Sequence, residues 1–300
     1  MQNLSDHNRL VSVVIPCHNA QRFIERTINS VIQQSYPDFE IIICDDGSTD
    51  LSLKIISSLA SDLRIRYFSQ ANQGVSTARN NGFSIATGKY ILFLDADDLL
   101  EPDFLKKRIE FLEQHPAYKA CGASISIINE EGQILEHTYL PVSNDIWGQI
   151  LFYKCGYSTC PSNYLFRRDI LVENKNKFDI EISSSADRFF MIECALNFNI
   201  GALEDEQGAR LLYRLHQENM SRKITIGLLT DNRIFMRKIL NLSYLTLWYK
   251  FRFLFKICFI LSGGYFRLRK YSKAFKYGVA ALILNPFLFL KQLWSKNEWT

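Results

Sequence analysis

Three carboxylates fall within four positions at Asp95-Ala96-Asp97-Asp98, directly after the apolar run Tyr90–Leu94. Acids this close repel one another by several kcal/mol at ~4 Å wherever water is partly excluded. A cation or free access of water must relieve that repulsion. If the extended geometry of the run continues, Asp95 and Asp97 share a face. Such a pair suits a hard divalent ion, which takes one or two carboxylates and completes its shell with phosphate and water. The alternative is a solvated loop whose acids cap the helix expected near Pro102, a role that fits Asp98. A second acidic cluster, Asp45-Asp46-Gly47-Ser48-Thr49-Asp50, and a polar turn, Cys17-His18-Asn19, also follow apolar runs.

The elements that must position these groups are legible in the same stretches. Leu10–Pro16, Phe39–Cys44, Ile65–Phe68 and Tyr90–Leu94 read as strands, most of them apolar enough to be buried on both faces, with Pro16 ending the first. Between them lie helical patterns, Phe23–Ile32, Leu53–Leu59 and Gly74–Ala86. Alternating strands and helices with short connections predict an α/β fold on a doubly wound, mostly parallel sheet. Ligands of such sheets bind outside the carboxyl ends of the strands, which is where the three polar clusters fall. Beyond a helix over Pro102–Gln114, residues 117–165 are irregular, with short β-like pieces at Ala123–Ile128 and Gln133–Leu140. A helical pattern returns over Ser184–Leu196.

At 47% hydrophobic and 22% charged, the 300-residue chain can build a sizeable core. Its net charge of +4 is unevenly spread. Residues 231–300 carry thirteen Lys and Arg against Asp231 and Glu298 alone, so the tail is expected to meet something anionic. This stretch reads as helical throughout, punctuated at Gly263-Gly264 and Asn285-Pro286. Trp248, Tyr249, Phe251, Phe253 and Phe255, interleaved with Lys250, Arg252 and Lys256, fit a helix lying in an anionic lipid interface. A helical subdomain packed by its aromatics is the alternative, and the two readings are compatible. No apolar run reaches the ~20 residues a spanning helix needs. Seven scattered cysteines without a CxxC pattern fit buried thiols of a reducing compartment, and no signal peptide is recognised, so a cytoplasmic protein is expected.

Four segments in order carry a family resemblance: Val11–Asn19, Cys44–Asp50, Asn72–Gly82 and Leu94–Asp98. The chain resembles a family-2 glycosyltransferase of the GT-A-type fold over about its first 220 residues. The resemblance implies a catalytic domain over 1–222, with a nucleotide-binding half to 116 and an acceptor-binding half from 117, followed by a helical extension over 223–300. It implies an inverting transfer of a sugar from a nucleotide diphosphate donor, a UDP-sugar by this likeness, to a saccharide or lipid-linked acceptor. Cell-surface polysaccharide synthesis at the inner face of the membrane is the expected setting, with no nucleic-acid partner. Pro16 and its neighbour His18 would line the nucleotide pocket, and the second acid of the Asp45-Asp46 pair would bind the base. Asp95 would lie near the ribose and Asp97 would hold Mg2+ or Mn2+. Arg79 falls near the donor, or else forms a structural ion pair with a strand-end acid. His216 is expected near the metal or diphosphate, with a purely structural place as the alternative.

Inverting transfer needs one base to take the acceptor proton. The resemblance assigns it to Asp187, which follows Ala186 where many members have Glu. A helix N-cap is the other reading of Asp187, and Asp179 and Glu181 are nearby substitutes. Two rivals remain: a sugar nucleotidyltransferase, although the 17–20 turn lacks the expected Gly-rich signature, and a non-catalytic nucleotide-sugar-binding scaffold.

Overall fold

The computed structural model describes residues 10–138, 146–152, 158–203, 207–217, 225–243 and 245–294. Residues 139–140 of the Gln133–Leu140 piece, Cys155 among the seven cysteines, and Glu298 lie outside them. By its contacts the chain divides into two compact units. The larger comprises residues 1–150, 154–180 and 186–217, and the smaller 151–153, 181–185 and 218–300.

The larger unit opens with strict alternation: β1 (Val11–Cys17), α1 (Ile24–Ile32), β2 (Phe39–Asp45), α2 (Ser52–Leu59), β3 (Ile65–Ser69), α3 (Val75–Ser84) and β4 (Tyr90–Phe93). It continues through β5 (Leu99–Leu100), α4 (Phe104–Gln114), β6 (Tyr118–Gly122), β7 (Ile125–Ile128), β8 (Ile134–Thr138), α5 (Ile146–Leu151), β9 (Leu165–Arg167), α6 (Arg168–Glu173), α7 (Ala186–Asn197), β10 (Asn199–Ala202) and β11 (Leu211–Arg214). Seven strands form the main sheet in the order β10-β6-β9-β4-β1-β2-β3. Every pairing in it is parallel except those of β9, which runs antiparallel between β4 and β6. A four-stranded sheet, β5-β11-β7-β8, carries the end of the unit. The irregular 117–165 region of the sequence thus supplies three strands and leads into β9, which is only three residues long.

The core is the expected one. Val11, Val13, Ile15, Ile41, Ile43, Tyr90 and Leu92 are buried together with Ile24 and Ile28 of α1 and Phe104 and Leu105 of α4. Pro16 does not end β1: it pairs with Cys44, and the strand runs on to Cys17. The ladder to β4 stops earlier, at Val14 opposite Phe93, and the last bond on that side is from Leu94 N–H to Val14 O. Pro16 lies two residues on, facing the same side, where its missing N–H leaves no ladder bond unmade. Gly88 has a different reason: a Cβ there would lie 2.7 Å from both Leu10 O and Ser12 N.

The smaller unit holds α8 (Ile226–Asn241), α9 (Leu247–Arg267), α10 (Tyr271–Leu284) and α11 (Pro286–Trp294). Thr225 Oγ1 accepts from Leu228 N–H and starts α8. Gly263-Gly264 does not punctuate the chain, because α9 runs through both. A Cβ on Gly264 would sit 2.5 Å from Leu229 Cδ2, so the glycine lets α8 and α9 approach closely. Asn285-Pro286 does separate α10 from α11, with Pro286 at a first helical position that it tolerates. Phe253 and Phe255, read as interfacial, are buried; Phe253 meets Phe235 edge-on at 5.7 Å. Trp248 and Phe251 remain exposed. No helix among the described residues is long and apolar enough to cross a membrane.

One polar staple joins β1, β2 and the turn before β4. Glu40 Oε1 accepts from Ser12 Oγ at 2.6 Å and from Thr87 N–H and Oγ1 at 2.8 and 2.7 Å. Burial works against its charge, but the Ser12 and Thr87 bonds outweigh it and hold the carboxyl below 4.5. A depressed carboxyl stabilises the fold above the unfolded value and loses that contribution as pH falls through the folded one. Glu40→Gln is expected to cost about 1–2 kcal/mol at pH 7. In urea denaturation at several pH values the deficit should shrink below pH 4.5; a deficit that stays constant about 1.5 pH units further down would contradict it.

Candidate active site

The carboxyl ends of β1, β2 and β4 lie side by side, and the turns leaving them form a wall fixed by one carboxylate. Asp46 accepts from Gln70 Nε2, Gln73 N–H and Gly74 N–H, each at 2.8 Å. Gly74 opens α3 at φ 88°, a left-handed conformation that suits glycine. Asp46 O accepts from His18 Nδ1–H at 2.9 Å, so Nε2 faces the Asn19 and Asn72 amides at 3.2 and 3.3 Å. Asp45 is buried beside it and accepts the Ser48 N–H at 3.3 Å. Burial, with Asp45 next to it, pushes the Cys17 thiol up to about 12, so it is no nucleophile at neutral pH.

The acids after β4 take three different environments, because the chain leaves the strand at Leu94 and turns. Asp95 meets the Arg79 guanidinium at 2.5 Å through Nη2. Arg79 Nη1 reaches Asp187 Oδ1, also at 2.5 Å, so one buried guanidinium bridges the two carboxylates. Burial opposes the arginine's charge, but Asp187 and Asp95 more than compensate and hold it charged. Burial likewise pushes the Asp95 carboxyl up to about 6; Arg79 pulls against this, while Asp187 and Asp97 push with it. Asp187 stands in the first turn of α7, with its carboxylate a third exposed and Oδ1 turned to Arg79.

Asp97 accepts from His216 Nε2 at 2.8 Å. The imidazole is buried, with its ring 4.8 Å from that of Phe23. Asp98, expected to cap α4, is fully buried and accepts the Arg214 N–H at 3.0 Å instead. Burial, followed by the Asp97 and Asp95 charges, pushes its carboxyl well above the ordinary value. Asp103 stands at the head of α4 and makes no capping bond with its side chain.

The structure therefore brings together Arg79, Asp95, Asp187, Asp97 and His216, and places Pro16, His18, Asp45 and Asp46 in the adjoining wall. Glu181 is instead ion-paired with Lys238 at 2.6 Å in the smaller unit. Sequence reasoning missed Ser162, whose Oγ accepts the Asp95 N–H at 3.0 Å, and Arg214. The Arg214 guanidinium donates to the carbonyls of Asp97, Asn129 and Glu130 and so holds the acidic turn by its backbone. Arg214 stands two residues before His216, and nothing in its local pattern marks it as buried.

Two sets of side chains offer themselves to a cation. Asp95, Asp98 and the Cys160 thiol have ligand atoms within 4.8 Å of one another. Burial keeps that thiol protonated and Asp98 already serves Arg214, a poor fit for a hard ion that prefers charged oxygen. Asp95 and Asp97 are carboxylates a quarter exposed, with His216 Nε2 beside Asp97, and solvent-reachable charged oxygen is what a hard ion prefers. Asp95 and Asp187 share the single charge of Arg79, and Asp97 beside His216 adds another carboxylate; that residual negative charge fits a divalent ion.

The family model for "Glycosyl transferase family 2" matches residues 12–174. An uncharacterised glycosyltransferase of Haemophilus influenzae is 31% identical over 71% of this chain and 67% of its own length. One of Rickettsia felis is 35% identical over 67% of this chain, which spans only 32% of that protein. Among solved structures, S. aureus TarS 1–349 in complex with UDP-GlcNAc aligns with a TM-score of 0.68 at 20% identity, covering 94% of this chain and 82% of that one. That likeness shows the shared α/β fold.

The Arg79 bridge yields a stability test. Arg79→Met leaves two acids facing a buried apolar side chain, and breaking such a pair costs about 3–5 kcal/mol. The variant is expected to lose about 3 kcal/mol in chemical denaturation at pH 7. A loss within experimental error of zero would mean that the bridge carries no weight.

Proposed function

This chain belongs to glycosyl transferase family 2, and on that premise we propose that it transfers a sugar from a nucleotide diphosphate donor to a hydroxyl of a saccharide or lipid-linked acceptor, with inversion at the anomeric carbon. The observation that carries the reading is Arg79, which ties Asp95 at the donor end of β4 to Asp187 at the head of α7. Residues 1–222 would form the catalytic part. The wall of Pro16, His18, Asp45 and Asp46 would receive the base. Three N–H groups already occupy Asp46, whereas Asp45 carries one, so Asp45 has more capacity to accept from a base N–H. The resemblance implies Asp46 in this role, so the proposal differs from it at this one position. A UDP-sugar is the favoured donor, in keeping with the UDP-GlcNAc bound by TarS.

Asp97 and Asp95, with His216 at the edge, would hold Mg2+ or Mn2+. Such an ion, when bound, supplies Lewis-acid neutralisation of charge on the departing diphosphate. The chain's own residues do the rest. Arg79 holds Asp187 Oδ1, which leaves Oδ2 to take the proton of the attacking acceptor hydroxyl. The C–O bond to the acceptor forms as the bond to the phosphate oxygen breaks, so a single displacement inverts the centre and no protein nucleophile is needed. The basic extension over 231–300 would hold the enzyme peripherally at the inner face of the cell membrane, where a lipid-linked acceptor of polysaccharide synthesis is presented.

Asp97→Asn and Asp187→Asn separate the two parts. With a panel of UDP-, GDP- and dTDP-sugars plus Mn2+, Asp97→Asn is expected to lose metal-dependent thermal stabilisation by donor. Asp187→Asn should keep that stabilisation and lose about 10²–10⁴-fold in kcat, the usual contribution of a general base. Transfer at the wild-type rate by both variants would remove these assignments, and absence of transfer in the wild type with donor binding kept would favour a scaffold.

A further inference from the structure

The strongest concentration of exposed cations and aromatics lies not at the start of α9 but at its far end. Residues 266–276 read Phe-Arg-Leu-Arg-Lys-Tyr-Ser-Lys-Ala-Phe-Lys, five cations and three aromatics in eleven positions. Phe266, Tyr271 and Phe275 are 63%, 59% and 74% exposed, and Arg267, Arg269, Lys270, Lys273 and Lys276 are all exposed. None of these five makes an ion pair among the described residues, and the chain has no acid between Asp231 and Glu298 to offer one.

The turn is built, not frayed. Arg269 takes a left-handed conformation at φ 56°, its N–H bonds Phe266 O, and the Lys270 N–H bonds Tyr265 O, each at 2.9 Å. Below it, the Tyr265 and Tyr277 rings stack at 5.6 Å and Ser262 Oγ donates to Ala274 O at 2.8 Å, which locks α9 against α10. Phe266 and Tyr271 meet edge-on at 5.7 Å across the turn. The guanidinium of Arg252 near the start of α9 lies over the rings of Phe152 and Trp248, at 4.4 and 5.2 Å, whereas of the five turn cations only Lys273, 5.4 Å from the Tyr265 ring, makes such a contact among the described residues.

We propose that the α9–α10 turn, residues 266–276, docks on the anionic surface of a lipid bilayer, with Phe266, Tyr271 and Phe275 entering the headgroup layer and the five cations facing lipid phosphates. Cations beside amphipathic or apolar rings are the composition of an interfacial element. A nucleic-acid backbone would satisfy the cations but leave two phenylalanines in water, so the rings decide for the bilayer. The proposal rests on the membrane reading of the basic extension and narrows it to one turn.

The test is sedimentation of the full chain with vesicles of phosphatidylcholine alone or with about 30% phosphatidylglycerol, the anionic lipid supplying the surface potential. Wild type should pellet with the anionic vesicles only, and less as salt rises. Arg267→Gln/Lys273→Gln/Lys276→Gln should weaken partitioning on the order of a hundredfold, since each juxtamembrane charge is worth about fivefold. Phe266→Ser/Phe275→Ser should weaken it about tenfold or more by removing buried ring surface. Trp248→Ser/Phe251→Ser is the comparison and should pellet nearly as wild type does, with circular dichroism checking that each variant is folded. If both turn variants pellet like wild type, the turn is not the docking surface although the membrane reading stands. If wild type pellets with neither vesicle, both fall, and tighter binding to a single-stranded RNA oligomer than to vesicles would also overturn the proposal.

Discussion

A buried guanidinium shared by two carboxylates is the interaction on which the larger unit's chemistry depends. Arg79 stands on α3, Asp95 just beyond β4 and Asp187 at the head of α7, so three elements meet at one charge. Removing those charges from water is expensive, and only close mutual contact recovers the cost. The surrounding acids make the position tighter still. Asp97 adds a further negative charge, and burial already holds Asp95 and Asp98 above their ordinary values. Arg214 brings a second positive charge near Asp98 and Asp97, while its guanidinium donates to backbone carbonyls. The region is electrostatically under-compensated, and the tightly packed strands behind it keep the acids from moving apart.

The first half of the fold was readable because each of its central strands is a continuous apolar run between turn residues, long enough to declare burial on both faces. β9 was not, since three residues carry no periodicity and its antiparallel place between β4 and β6 is decided by partners far along the chain. Pro16 and Gly263-Gly264 misled for a common reason. Each is a breaker by intrinsic preference, and each is tolerated because of what lies beside it: an unpaired ladder position for Pro16, the Leu229 side chain for Gly264. Local propensity yields to tertiary context wherever the context removes the cost.

At the site, residue types were legible and their pairings were not. Asp95, Asp97, Arg79, Asp187 and His216 all drew attention by chemistry and position. That Arg79 would reach Asp187, 108 residues away, or that His216 would reach Asp97 across 119, follows from sheet order and strand register, which no short motif encodes. Asp98 shows the limit most plainly. It looks like its neighbours in sequence, yet one further step round the turn carries it into the core, to a backbone N–H of β11. The extension repeats the lesson, since α9 is apolar over most of its surface and such a helix belongs in the middle of a bundle. Alternating cations and rings over 248–256 looked interfacial, but Phe253 and Phe255 are needed inside.

The donor wall and the candidate base differ in how they are held, and that difference explains why the linking residue is an arginine. The wall is fixed by Asp46, just beyond β2, through the backbone N–H groups of Gln73 and Gly74 in the turn that opens α3. Asp187 belongs to a helix that arrives late in the chain, and Arg79 joins its carboxylate to the strand ends. A lysine could not do this work equally well. Its ammonium is a single compact charge on a flexible stem, whereas the planar guanidinium presents Nη1 and Nη2 as separate, rigidly related donors. With Nη2 fixed by Asp95, the position of Nη1 is determined, and so is the orientation of the carboxylate it meets. The geometry of the Asp187 carboxylate is thus inherited from the end of β4, a strand buried along its whole length.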